Sequence, residues 1–361
     1  MSALPQDVLD ARLQTQPRCA LVLLGTGQVG TAFLRLLDGP AGRRIALCGV
    51  ANSRYQQTLP AELVRRDLRG RLALSGGTRD DGSLLHALEA HPAPCRVIVD
   101  ATASVELAAR HTLWLARGMH VVTANKALAG GGAAGWRALQ HVIGSGPARY
   151  GDSATVGAGL PVLATLRRLR ACGDTLLRIE GVFSGSLSWL FNRHDGTRPF
   201  SHLLAEARLR GYTEPDPRAD LDGEDAARKL LILARAAGCA LVREQIEVES
   251  LVPPALRGCS VAAFTAAAQA LDTVLDARLR EARARGAVLR HLACFDARTG
   301  RARVGLEAVA SAHPAAALRE RDNLFALHSA RYGDRPLVIQ GAGAGPELTA
   351  QALLGDVLAL S

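Results

Sequence analysis

Apolar residues run unbroken from Cys19 to Leu24 (CALVLL), which predicts a strand covered on both faces. GTGQVG follows at Gly25–Gly30, then TAFLRLLDG, with apolar positions at helical spacing and a stop at Gly39. RIALCGVAN (44–52) predicts a second strand, and a polar stretch with few apolar repeats fills 53–82. SLLHALEAH predicts a short helix, RVIVDAT (96–102) a strand, 104–117 a helix and MHVVTANK (119–126) another strand. Strands alternating with helices in this way predict a parallel, doubly wound sheet.

The glycine-rich AGGGAAG opens at Ala129 ahead of a helix to Ile143, and the character changes after Tyr150. TVGAGLP (155–161) predicts a helix start with Pro161 in the first turn. LLRIEGVFSG (176–185) reads as a strand, and 186–193, 199–210 and 220–238 as helices. A long helix is expected over 261–285, then strands VLRHLACFD, RARVGLEAV, NLFALHSARY and PLVIQGAG, and a final helix over 346–359. The expected fold class is α/β, a Rossmann-type doubly wound parallel sheet plus a second, α+β domain. The expected division is a first domain at 1–149, with 341–361 returning to it, and a second at 150–340.

The 361 residues fit about two domains, and 48% hydrophobic with 21% charged residues excludes a disordered chain. No apolar run reaches the roughly 18 residues a membrane span needs; the best, LLILARAAGCALV from Leu230, is broken by Arg235. The first residues lack a basic segment followed by an apolar one, so no signal peptide is expected. Cysteines 19, 48, 95, 172, 239, 259 and 294 are odd in number and form no C-x-x-C pair. Neither a zinc ribbon nor a disulfide framework is expected, and a reducing cytoplasm is. The net charge of +9 is spread along the chain, which argues against a nucleic-acid partner. It is carried by 41 Arg and two Lys, Lys126 and Lys229. Arg stays protonated where Lys can yield a proton, so the two lysines are candidates for chemistry that Arg cannot do.

GTGQVG after a strand and before a helix is the dinucleotide-binding pattern. Gly25 permits the tight turn, Gly27 the approach of backbone to a pyrophosphate and Gly30 close helix–strand packing. Gln28 and Val29 open the helix whose N-terminus faces the phosphates. After the second strand the chain reads Ala51, Asn52, Ser53, Arg54, with no acid to hold the ribose hydroxyls of NAD. Arg54 can instead pair with a 2′-phosphate, which leans towards NADP over NAD.

The segment GYTEPDPRADLDGEDAARKLLILAR (211–235) concentrates Glu214, Asp216, Asp220, Asp222, Glu224 and Asp225 before Arg228 and Lys229. A helix from Asp220 would put Asp225 and Lys229 on one face as an i,i+4 pair. Acids beside an ammonium can bind an amino-acid substrate and tune the lysine. An exposed decorative pair is the plainer alternative.

GYTEPDP, D-x-D-G-x-D-x-A-R-K, ANK, TVGAGLP, GVFSGSLSWLF (181–191) and PLVIQGAGAGPELTA (336–350) together resemble the homoserine dehydrogenase family, in order over 18–361. LLGTGQVG…GVANS is most similar to the dehydrogenase half of bifunctional aspartokinase–homoserine dehydrogenases. Neither a kinase half nor a regulatory domain is expected here.

The resemblance implies NAD(P)-dependent interconversion of L-aspartate 4-semialdehyde and L-homoserine, in the threonine, methionine and isoleucine branch of amino-acid biosynthesis. It implies Lys229 as proton donor, Lys126 as a substrate and cofactor contact, and Asp220 as a further acid of the same site. Glu214, Asp225 and Ser186 match substrate contacts; Thr102 and Gly345 match cofactor contacts. It also implies a monovalent cation, usually sodium, held by the carbonyls of Val156, Ala158 and Leu160. Ser153 stands where the family often has Glu. A homodimer through the strands after 287 is expected. The alternatives are a dehydrogenase for another small amino or oxo acid, separable by turnover on related oxo acids, and a catalytically silent regulatory homologue.

Overall fold

The structure, a computed structural model, describes residues 17–59, 70, 72 and 76–360; the signal-peptide expectation concerns residues outside this set. The chain divides into two units: Met1–Leu128 with Ala133–Thr155 and Gly345–Ser361, and Val156–Ala344 with Ala129–Gly132.

The first unit is built on a seven-stranded sheet. Its strands are β1 (Cys19–Leu24), β2 (Ile45–Ala51), β3 (Tyr55–Thr58), β4 (Gly77–Thr78), β5 (Cys95–Asp100), β6 (His120–Thr123) and β7 (Tyr150–Gly151). The order is β4-β3-β2-β1-β5-β6-β7. β2, β1, β5, β6 and β7 run parallel, while β3 and β4 form an antiparallel edge in the polar stretch that carried no strand signal. All six residues of β1 are buried because both faces are covered. Leu21 and Leu23 pack in a cluster with Phe33, Leu37 and Leu353, and Val22 and Leu24 in another with Leu107 and Trp114. Each such side chain contributes roughly 1.5–3 kcal/mol by leaving water. Chain order reverses beside β1, where β2 lies on one side and β5 on the other. That is the switch point at which open parallel sheets bind ligands.

The second unit holds a six-stranded sheet of β8 (Leu176–Val182), β9 (Ile246–Val248), β10 (Ala287–Asp296), β11 (Ala302–Ala310), β12 (Asp322–Ser329) and β13 (Leu337–Ala342). The order is β13-β12-β8-β10-β11-β9. The three-residue β9 gives too short a pattern to read from sequence.

The helix expected over 220–238 is two: Arg218–Leu221, then Glu224–Ala236. Gly223 breaks them with φ +78, and a Cβ there would stand 2.9 Å from Val248 Cγ1. The long helix expected over 261–285 is also two, Val261–Ala266 and Ala270–Ala284. Pro161 is an N-cap rather than a first-turn residue, with the helix at Val162–Ala171. Glu224–Ala236 is buried along most of its length from Ala226 on, with its apolar residues in the core and Glu224, Asp225 and Arg228 left at the surface. Arg235 within it is 3% exposed and donates to the carbonyls of Ala129 (2.6 Å) and Gly131 (2.8 Å). No helix among the described residues is long and apolar enough to cross a membrane. All seven cysteines are free thiols.

Candidate active site

The glycine turn belongs to the first unit. Gly25 leaves β1 at φ +98, with its N–H donating to Ala51 O at 2.7 Å. Gly30 meets the turn itself: a Cβ there would stand 1.9 Å from Gly25 O. Around Gly27 a Cβ would meet no atom within 4 Å. Gly27 is also the exposed N-cap of helix Gln28–Leu37, and no side chain caps it. The open space, the uncapped first-turn N–H groups of Gln28 and Val29 and the helix dipole together form a cradle that fits a pyrophosphate.

Asp100 ends β5, fully buried, and gathers four donors. They are Thr102 N (2.9 Å), Thr102 Oγ1 (2.7 Å), Asn125 Nδ2 (3.0 Å) and His111 Nε2 (2.9 Å). His111 Nδ1 faces Tyr150 OH at 3.1 Å. Asn125 Nδ2 also donates to Ser104 O, and its Oδ1 accepts from Ala127 N, closing a turn with Lys126 at its centre. Thr102 and the Lys126 turn are thus tied to one carboxylate. Arg54 stands exposed just after β2, and Asn52 Oδ1 accepts from the N–H groups of Arg54 and Tyr55. Arg79 Nη1 donates to Asn52 O at 3.0 Å, so a second guanidinium braces this turn. Gly345, φ +124, is the N-cap of the C-terminal helix Pro346–Leu358.

The acids between Glu214 and Asp225 differ in what holds them. Asp220 Oδ1 accepts from Ser186 Oγ at 2.6 Å and Oδ2 from the N–H of Glu214 at 2.8 Å. Burial raises the Asp220 carboxyl above its usual range against these bonds, with Glu214 and Asp225 adding to the rise. Both its oxygens are engaged in holding neighbours. Asp225 Oδ2 pairs with Lys229 Nζ at 2.8 Å, half-exposed acid to buried ammonium, and Nζ also donates to Phe183 O at 2.7 Å. Asp216 pairs with Arg218, which holds its carboxyl low, and Glu224 pairs with Arg243. Asp222 Oδ1 accepts from Glu224 N. Glu214 itself is exposed at the loop. The structure therefore gathers Ser186, Asp220, Glu214, Asp225 and Lys229 in one unit, whereas Lys126 lies in the other. Asn323, absent from the sequence-based set, donates from Nδ2 to the same Phe183 carbonyl at 3.2 Å. No motif or spacing marks an asparagine inside a strand.

Val156, Ala158 and Leu160 lie in a tight turn where Ala158 takes φ +50 and Leu160 O accepts from Val162 N at 2.8 Å. Ser153 is committed elsewhere: its N–H and Oγ both donate to Asp356. Leu160 O is thus already an acceptor, and the Ser153 side chain is turned to Asp356.

A strand, glycine turn and helix at a parallel-sheet switch point define the class of Rossmann-type dinucleotide-binding proteins, and the second unit carries a buried lysine among acids. A family model described as homoserine dehydrogenase matches residues 161–358, and one described as homoserine dehydrogenase, NAD binding domain, matches 25–139. The homoserine dehydrogenase of Emericella nidulans is 34% identical over 94% of this chain and 97% of its own length. The bifunctional aspartokinase/homoserine dehydrogenase 2 of Escherichia coli is 40% identical over 98% of this chain. The chain spans only 45% of that protein's length. A crystal structure of a Candida auris protein of unknown function matches with TM-score 0.86 at 31% identity, covering 96% of this chain and 98% of that one. The chain belongs to the homoserine dehydrogenase family.

Proposed function

We propose that this chain interconverts L-aspartate 4-semialdehyde and L-homoserine with a nicotinamide dinucleotide, NADP in preference to NAD. The observation that carries this reading is Lys229: a buried ammonium aimed by Phe183 O and Asp225, on the segment that also carries Asp220 and Glu214, with Ser186 bonded to Asp220. The bound dinucleotide supplies the hydride. Lys229 gives its proton to the alkoxide forming on the substrate, a step Arg could not perform. Lys126 adds positive charge that eases the developing negative charge. Glu214 and Asp225 take the polar ends of the amino acid, with Ser186 beside them, and Asp220 orders Ser186 and the Glu214 loop. Gly25, Gly27, Gln28, Val29, Gly30, Thr102 and Gly345 serve the cofactor. Sodium at the carbonyls of Val156, Ala158 and Leu160 belongs to the same reading as a structural ion. The free thiols fit a reducing cytoplasm.

Absorbance at 340 nm with homoserine and each cofactor tests the activity: reduction is expected with NADP, more slowly with NAD, and its absence with both overturns the reading. Arg54→Ala should weaken NADP about tenfold and NAD little, as a charged hydrogen bond to a 2′-phosphate requires.

The homodimer expected through the strands after 287 is also part of this reading. Asn323–Leu327 are buried within the chain itself, so the outward apolar positions lie elsewhere, at Tyr332 and Val338. Val338 is on β13, an edge strand alternating half-buried and exposed residues. Sedimentation near twice 38.0 kDa that falls to one chain in Val338→Glu is the expected outcome.

A further inference from the structure

Asn323 lies in β12 and is 1% exposed. Its Nδ2 shares the Phe183 carbonyl with Lys229, at 3.2 Å against 2.7 Å for the ammonium. Its Oδ1 is buried and has no hydrogen-bond partner among the described residues. A leucine of similar volume would fill this place without the penalty of an unsatisfied acceptor, so packing alone does not account for the amide. The side chain is tightly fitted. A Cβ at Gly343 would come within 2.3 Å of Nδ2, and one at Gly185 would lie 3.9 Å from Oδ1. Glycine at 343 makes room for the amide.

We propose that Asn323 is a positioning residue that acts through Lys229, fixing the carbonyl that aims its ammonium; this rests on the reading of Lys229 as proton donor. An ammonium has three protons. One meets Phe183 O and one meets Asp225, which leaves the third for the substrate oxygen. In the transfer an N–H bond of Lys229 breaks and an O–H bond forms on the alkoxide; water later returns a proton to the amine. While Lys229 is neutral its hold on Phe183 O weakens. Asn323 keeps that carbonyl in place, so the amine is reprotonated in its working position.

The chain has only two lysines, so ¹³C labelling at lysine Cε gives two signals, Lys126 and Lys229. Asn323→Asp keeps the shape but cannot donate to a carbonyl; Asn323→Leu keeps the volume and carries no charge. In both variants kcat should fall ~10–100-fold, homoserine KM should stay within about threefold and the NADPH dissociation constant should not change. The Lys229 signal should move and the Lys126 signal stay. NADPH binding, read by fluorescence, reports that each variant is folded. A Lys229 signal unmoved in both variants, or kcat within about threefold of the parent, overturns the proposal. So does a rise in homoserine KM with kcat intact, which would place Asn323 on the substrate. If the parent does not turn over homoserine but the Lys229 signal still moves, the proton-donor reading fails while the Asn323–Phe183–Lys229 arrangement stands.

Discussion

Lys126 and Lys229 sit in different domains and are held by different kinds of structure. Lys126 occupies the middle of a turn closed by its neighbour Asn125, whose amide is anchored on Asp100 at the end of the adjacent strand. The turn that carries it is set by the Asn125 side chain, which bonds Ala127 N within the turn and Asp100 on the neighbouring strand. Lys229 is placed by its side chain, between Asp225 one turn back and the Phe183 carbonyl 46 residues away. The same contrast runs through each domain. The glycine turn is a local conformation, whereas the acid cluster is assembled by tertiary contacts that bring Ser186 to Asp220 and Asn323 to Phe183. A local device tolerates change at a distance and fails when its own backbone changes. A long-range device fails one side chain at a time.

The largest expected effect is on the long-range device. Lys229→Ala should lower turnover by ~10²–10⁴-fold while dinucleotide binding is kept, as loss of a general acid requires. Lys229→Arg should be nearly as damaging, because its charge remains without a transferable proton. Steady-state rates with a parallel fluorescence titration check both, and a loss under about tenfold would remove Lys229 from the chemistry.

Two glycines of one motif sharpen the local side. Gly30→Ala drives a methyl into Gly25 O and should lower the melting temperature and abolish dinucleotide binding together. Gly27→Ala meets open space, so it should leave the melting temperature near the parent's and weaken only the dinucleotide. Equal melting temperatures for the two variants would mean that Gly30 serves the ligand and not the turn.

The smallest effect is a pH dependence carried by the second unit. In the second unit, burial lowers the His291 imidazole from 6.5 to about 4, with Arg278 assisting and Glu249 opposing. The unfolded chain therefore binds a proton there before the folded one does. Stability is complete above pH 6.5 and is lost as pH falls from 6.5 towards 4. Glu180 adds a lower window. Burial alone would raise its carboxyl, but His313 and Arg178 outweigh that and hold it at about 2. Its contribution is present above its ordinary 4.5 and is lost as pH falls towards 2. Thermal unfolding at pH 7, 5 and 4 should show the parent losing stability and His291→Leu losing less. Parallel slopes for the two would assign the acid sensitivity elsewhere.

Much of the first domain was legible because its signals are local. A continuous apolar run, a glycine turn and an amphipathic helix are each written in fewer than about fifteen consecutive residues. The motif order across the chain named the family for the same reason, and it picked out both lysines. The division of labour among the six acids was not legible. Asp216 and Glu224 have the same composition cues as Asp220 and Asp225, and only their pairing with Arg218 and Arg243 sets them apart.

The sequence by itself determined the parallel sheet, the cradle at Gly25–Gly30 and the i,i+4 pairing of Asp225 with Lys229, because strand pleat, glycine sterics and helix pitch act between near neighbours. Only the tertiary structure decided where the helix breaks at Gly223, because the strand that crowds it, β9, lies 23 residues further on. It alone decided that Asn323 shares the carbonyl of Lys229, because β12 pairs with β8 across more than a hundred residues of chain. Nothing in the local pattern encodes which strand becomes the neighbour; that is settled when the sheet closes its hydrogen bonds and buries its faces.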